Sequence, residues 1–158
     1  MNHLPTALIV IGTFWAMEWV AWGTHRYLMH GWLWVLHRDH HRGRPGRLQR
    51  NDAFFVIFAI PSWLCIMLGM MHASTESVAI GAGIALYGFA YFVVHEVFIH
   101  RRLKFWRDTK NVYWLAVRKA HKQHHKHLER ENGECFGMLW VESRYIGEAQ
   151  QELVRGGA

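Results

Sequence analysis

The stretch VAIGAGIALYGFAYFVV (residues 78–94) runs without a charge into HEVFIH (95–100), which ends the run with His95 and His100. An uncharged run of this length, prolonged slightly past its edge, is long enough to cross a hydrocarbon core of about 30 Å. Two more runs share the character, Leu4–Gly23 and Ala53–Met71. Spans are therefore expected at about 4–23, 53–71 and 78–98, all helical because lipid offers backbone groups no partners. Hydrophobic residues make up 51% of the chain and tryptophans number nine. Its mean hydropathy of -0.05 nevertheless looks polar for a membrane protein. The conflict disappears once the charges are placed, for nearly all lie outside the three runs. Pro61 should kink the second span. Gly81, Ala85 and Gly88 recur at helical spacing and suggest a face that packs closely on a neighbouring helix.

No Lys or Arg occurs from Met1 to His25, nor from Asn51 to His100; six lie between Arg26 and Arg50 and twelve between Arg101 and Arg155. Three spans put both basic blocks on one side of the membrane, and the positive-inside rule makes that side cytoplasmic. The first run lacks a preceding basic residue and is interrupted by Glu18, so it reads as a retained span rather than a leader. Glu18 itself needs a partner inside the bundle. The segment RGRPGRLQRND (42–52) breaks helical periodicity at Pro45 and its glycines, and Asn51 or Asp52 can cap the second span. Trp106, Tyr113, Trp114 and Val117 alternate with basic residues as in an interfacial helix. The stretch ENGECFGMLW (131–140) reads as packing back on the core. Cys65 and Cys135 fall in a span and in a reducing compartment, which argues for packing residues rather than a disulfide. The whole chain, 1–158, reads as a single integral-membrane domain. Its fold class is all-α, about three transmembrane helices extended into a cytoplasmic histidine-rich helical cap at 25–50 and 95–150.

Ten of the thirteen histidines repeat one pattern. HRYLMH holds His25 and His30, and LHRDHH holds His37, His40 and His41. HEVFIH and AHKQHH repeat both spacings with His95, His100, His121, His124 and His125. Positions i, i+3 and i+4 share a helix face, so each triplet converges. Converging imidazoles make a poor core but a good metal half-site. The five-residue spacing turns about 140° around an ideal α-helix. Either the helix is distorted there or the two members of each pair reach different ions. A dinuclear centre with interleaved ligands suits the count best. His3, His72 and His127 stand outside the pattern. A zinc-protease H-E-x-x-H is excluded because the second histidine falls one place late. No Glu-x-x-His occurs, against a carboxylate-rich bundle site, and ten ligands are too many for structural zinc. Asp39 and Glu96, inside the motifs, are candidates to accept imidazole N–H groups and orient the rings.

These motifs around apolar spans, together with NDAFFVIFAIP, YFVVHEVFIHRR, RKAHKQHHKH and GECFGMLWV, resemble the membrane di-iron fatty-acid hydroxylase and sterol desaturase superfamily. Within it they resemble its bacterial β-carotene 3-hydroxylase branch, over roughly residues 15–142. Glu142 departs from the Pro that the branch would place after FGMLWV. The resemblance implies hydroxylation of C3 on the β-ionone rings of β-carotene, giving β-cryptoxanthin and zeaxanthin. It implies two irons held by the ten histidines, molecular oxygen as co-substrate, a ferredoxin-like electron donor, and no catalytic residue beyond the metal centre. The motifs alone are shared with carotenoid ketolases and with sterol or fatty-acid hydroxylases and desaturases, which stay open as alternatives.

The physics is compatible with that implication. An unactivated C–H bond is beyond acid–base chemistry and needs a metal-based oxidant, and an apolar carotenoid should enter sideways from the bilayer. Trp15, Trp19, Trp22, Tyr91 and Phe92 lie near the rim and are candidates for its path. The net charge of +6 suits anionic headgroups of the inner membrane and could steer an acidic redox protein. Nucleic acid is not an expected partner, since the basic residues hug the membrane. A non-catalytic membrane metal carrier would need polar groups spread along its spans, and only Glu18 is ionisable deep in one.

Overall fold

The computed structural model describes residues 3–42, 48–128, 131 and 133–156. Six α-helices follow one another: α1 Leu4–Gly23, α2 Trp34–His41, α3 Ala53–Met71, α4 Thr75–Tyr91, α5 Val112–His124 and α6 Ser143–Gly156. No strand occurs among the described residues. Two helices continue past their α-helical stretch. α1 continues as a wide π-helical turn, Thr24–Trp32, and α4 as a second one, Phe92–Ile99. Each carries one of the five-residue histidine pairs. With these extensions three segments are long and apolar enough to cross a membrane: Leu4–Trp32, Arg50–Met71 and Thr75–Ile99. The protein is a membrane protein built as a helical bundle under a histidine-rich cap.

α4 is the centre of the bundle. It packs on both α1 and α3, which scarcely touch each other. Small residues allow the two close approaches. A Cβ on Gly83 would lie 2.6 Å from Thr13 of α1, and one on Gly81 would lie 2.7 Å from the Ser62 carbonyl of α3. Added atoms there would force the helices apart. The expected single packing face is thus split. Gly81 packs on α3, whereas Gly88 has open space beside it, and Ala85 and Gly88 border a cavity. α3 continues through Pro61 without interruption. Ser74 starts α4 by accepting from the Ser77 N–H at 3.2 Å, a normal N-cap.

In the cap, Gly31 departs from helical dihedrals (φ -118, ψ -119) and turns the chain into α2. Pro45 and its neighbouring glycines, Gly43 and Gly46, lie outside the described residues. Asp52 caps a 3₁₀ turn, Arg50–Asp52, rather than α3 itself: its Oδ2 accepts from the Gln49 N–H at 2.9 Å. The expected interfacial helix begins later than its aromatic pattern suggested, at Val112, capped by Asn111. Trp106 lies before it, its ring tilted 35° against Phe98 with centroids 4.5 Å apart, and Val117 is buried. Of the expected interfacial residues Tyr113 is exposed, and Leu103 and Phe105 add further exposed apolar side chains. Residues 133–141 run back over the bundle, as the ENGECFGMLW stretch implied, and α6 then packs Tyr145 and Ala149 on Ala116 and Ala120 of α5.

Candidate metal centre

The π-turns resolve the five-residue spacing. Hydrogen bonding from i to i+5, as in His100 N–H to His95 C=O at 2.9 Å, widens the helix so that residues five apart face one way. The ring centroids of His95 and His100 are 4.6 Å apart, and those of His25 and His30 are 5.1 Å apart. Each pair therefore serves one site, and the alternative of one pair reaching two ions is not what the helix does. The α-helical triplets divide instead. His25, His30, His37, His41 and His124 form one set; His40, His95, His100 and His121 form another, and the ligand atoms of each set lie within 4.8 Å of one another. His40 leaves its own helix-mates for the second set, and His124 crosses to the first. His125 fills the seam, with Nε2 2.9 Å from His121 Nε2 and its ring stacked on His41 at 4.3 Å. All ten patterned histidines meet in one place, and His3, His72 and His127 belong to neither set.

An outer ring of acceptors fixes which nitrogen faces inward. Nδ1–H of His25 donates to the Phe136 carbonyl (2.9 Å), His30 to Leu128 (3.0 Å) and His124 to Glu134 (2.8 Å). Nδ1–H of His37 donates to Asn51 Oδ1 at 2.7 Å, and His95 to Glu96 Oε1 at 2.7 Å. A neutral ring that donates from Nδ1 presents a bare lone pair at Nε2. Yet His25 Nε2 lies 3.0 Å from His37 Nε2, and His30 Nε2 lies 3.2 Å from His124 Nε2. Two lone pairs so close repel unless a cation lies between them. Buried Nε2 atoms of His40 and His95 have no protein partner at all. Metal ions supply what every one of these nitrogens lacks, so the donor set fits a metal.

Burial keeps the rings neutral. Loss of solvent is the largest cause in each case, with neighbouring imidazoles adding to it. It brings His37 down to about 3, despite the opposing bond to Asn51. His100 and His124 fall to about 2 and His125 to about 4, while His40, His41 and His121 are also lowered. Neutral imidazole is the form that ligates.

Of the two acidic candidates, Glu96 is placed as expected. It takes the His95 N–H on one oxygen and Arg102 on the other at 2.6 Å, and Arg102 in turn holds Asp52 at 2.7 Å. Asp39 is not. Its Oδ2 accepts from the Arg50 backbone N–H at 2.8 Å, so it reaches no imidazole and instead pins the turn that delivers Asn51. Asn51 had been assigned a capping role, and Arg102 none. Neither has a periodic signature; only the fold brings them to the rings.

An apolar cavity of about 490 Å³ ends at this centre. His25, His95 and His121 close it, Phe54, Phe58, Trp63 and Ile66 of α3 form one wall, and Ala85, Gly88 and Tyr91 of α4 another. Along α3 it extends from Phe54 to Ile66, roughly 18 Å at 1.5 Å per residue. Of the five aromatic path candidates only Tyr91 lines it. Trp15, Trp19, Trp22 and Phe92 are not on its wall; Trp15 and Trp19 are exposed on the outside of α1, where lipid would be. Outward aromatics and inward ones look alike in a sequence solvated by hydrocarbon.

The site and the bundle together define a membrane protein of metal-binding character with an apolar pocket beside its histidines. Residues 10–142 match the family described as fatty acid hydroxylase, and the chain belongs to that family of hydroxylating enzymes. Among curated proteins it is similar to the beta-carotene hydroxylase of Pantoea ananas, 39% identical over 141 residues, covering 89% of this chain and 80% of that one. That of Pseudescherichia vulneris is 37% identical over 87% of this chain and 78% of its own. That of Paracoccus sp. (strain PC1) is 32% identical over 95% and 91%. No solved structure matches the chain.

Proposed function

We propose that this chain, acting as one unit, hydroxylates C3 of the β-ionone rings of β-carotene, giving β-cryptoxanthin and then zeaxanthin. The reading adds two irons, one per histidine set, with molecular oxygen as co-substrate and a ferredoxin-like donor of electrons. The observation that carries it is the apolar cavity that dead-ends on His25, His95 and His121. A pocket with almost no polar lining selects an apolar molecule, and its closed end presents that molecule to the histidines. The names of the similar proteins supply the carotenoid.

Bound iron supplies the oxidising power that no amino acid has. The chain does the rest. His25, His30, His37, His41 and His124 would hold one ion; His40, His95, His100 and His121 would hold the other, with His125 at the seam. Glu96 and Asn51 lock ring orientation. Tyr91, stacked on His95 at 4.4 Å, forms the wall nearest the second set and limits how a ring end can turn. Phe54, Phe58 and Met138 exclude water from the closed end. The polyene enters through the gap between α1 and α3, which α4 holds apart. The positive-inside rule puts the cap at the cytoplasmic face of the inner membrane. Its exposed Lys and Arg side chains suit an acidic donor, with association that weakens as salt rises.

Expression in cells that accumulate β-carotene, followed by pigment analysis, tests the reading. Hydroxylated rings are expected. A 4-keto product would make the chain a ketolase, and unchanged pigment would point to a sterol or fatty acid. Gly88→Leu should fill the open space beside α4 and cut product at least about tenfold with iron content unchanged, since the side chain enters the cavity rather than the cap.

A further inference from the structure

Glu18 lies deep in α1 and is 5% exposed. Its two oxygens accept four hydrogen bonds. Oε1 receives the backbone N–H groups of Met138 (2.9 Å), Leu139 (2.7 Å) and Trp140 (3.1 Å), and Oε2 receives the Tyr87 hydroxyl at 2.7 Å. Three successive N–H groups turned to one point make a small anion-binding nest, here filled by a side chain of the same protein. The fit is tight: a Cβ on Gly137 would lie 2.8 Å from Oε1. Four donors fill the acceptor capacity of the two carboxyl oxygens, so the side chain is satisfied out of water only while this segment stays in place.

The held segment explains the arrangement. A few residues before the nest, the carbonyls of Glu134 and Phe136 accept the Nδ1–H groups of His124 and His25. Both rings belong to the first set, and they come from opposite ends of the chain. We propose that Glu18 is a positioning residue for the first histidine set: it clamps residues 134–140 against α1 and α4, and the clamped carbonyls aim His25 and His124. The acceptors described for the second set lie elsewhere, Glu96 for His95 and the Gln49 amide for His40. That the aimed rings hold an ion rests on the metal reading above; the clamp itself does not.

Cys135, half-buried within the segment, gives a readout independent of metal and of activity. In a Cys65→Ala background, alkylation of Cys135 by a maleimide is followed in metal-free protein, and iron(II) is then titrated anaerobically and counted. Glu18→Leu leaves three backbone N–H groups without an acceptor. It should speed alkylation at least about tenfold and lose one ion of the two, the second set keeping its own. Glu18→Gln keeps an oxygen toward the nest and should retain slow alkylation and both ions. Gly137→Ala, which crowds Oε1 from the other side, should shift both readouts in the direction of Glu18→Leu. Unchanged alkylation and two ions in Glu18→Leu would overturn the clamp. So would equal loss of both ions with Cys135 still protected. A wild type that takes up no pair of ions, while Glu18→Leu still frees Cys135, would instead sink the metal reading and leave the clamp standing.

Discussion

The two histidine sets use the same ring chemistry but different supports. The first is oriented by neutral oxygens: the carbonyls of Phe136, Leu128 and Glu134 and the amide of Asn51. The second adds a charged support to a long neutral contact: His40 Nδ1 lies 3.4 Å from Gln49 Oε1, while His95 donates to Glu96, and Glu96 shares Arg102 with Asp52. A carboxylate acceptor makes its imidazole a stronger electron donor than an amide or carbonyl does. Near-equal histidine sets in a symmetric repeat thus acquire unequal surroundings. The pairing teaches that sequence symmetry repeats the histidines, while asymmetry enters at positions the pattern leaves open, such as Glu96, and outside it, such as Asn51.

The largest expected effect comes from the two rings that cross. His124→Ala should strip the first site and His40→Ala the second, each lowering hydroxylation on the order of a hundredfold or more while about half the iron stays bound. Loss of all iron from either variant would break the idea of two separable sets. Next comes the carboxylate: Glu96→Gln should weaken the second site about 10–100-fold and leave the first unchanged, as read by iron titration. Its mirror, Asn51→Asp, gives the first site a charged acceptor and should narrow the difference between them.

Acid gives a smaller, shared effect. His37, His100, His124 and His125 have folded values of about 2 to about 4, against roughly 6.5 in an unfolded chain. The unfolded chain binds more protons between those limits, so stability is full above about 6.5 and falls as pH drops below it. Metal-free protein should melt at lower temperature at pH 5 than at pH 7.5, and iron should be released over the same range. A flat melting profile would mean that the rings are not buried as a cluster.

How much of this was legible beforehand follows from periodicity. Three apolar spans and the gathering of ten histidines are local or repetitive signals, and both were readable. The π-turns were half-legible: five-residue spacing on a helix demanded either distortion or divergence, and widening the turn satisfied it. The crossing of His40 and His124 was not, because i+3 and i+4 positions share a helix face and only the neighbouring helices decide which set a ring joins. Asn51 and Arg102 lie at no repeating spacing from His37 and Glu96, and the partners of Glu18 were illegible for a plainer reason. A contact made across more than a hundred residues, such as Glu18 to Leu139, leaves no pattern along the chain. Asp39 shows the reverse error, a carboxylate beside ligands whose partner is a backbone N–H.

The gap between α1 and α3 has a consequence for how the enzyme must be assayed. A trough that faces hydrocarbon fills with acyl chains when no pigment is present, so turnover begins with an exchange of one oily tenant for another. Saturation then follows the mole fraction of pigment among lipids rather than any aqueous concentration, and diluting the substrate with added phospholipid should slow the reaction as an inhibitor would.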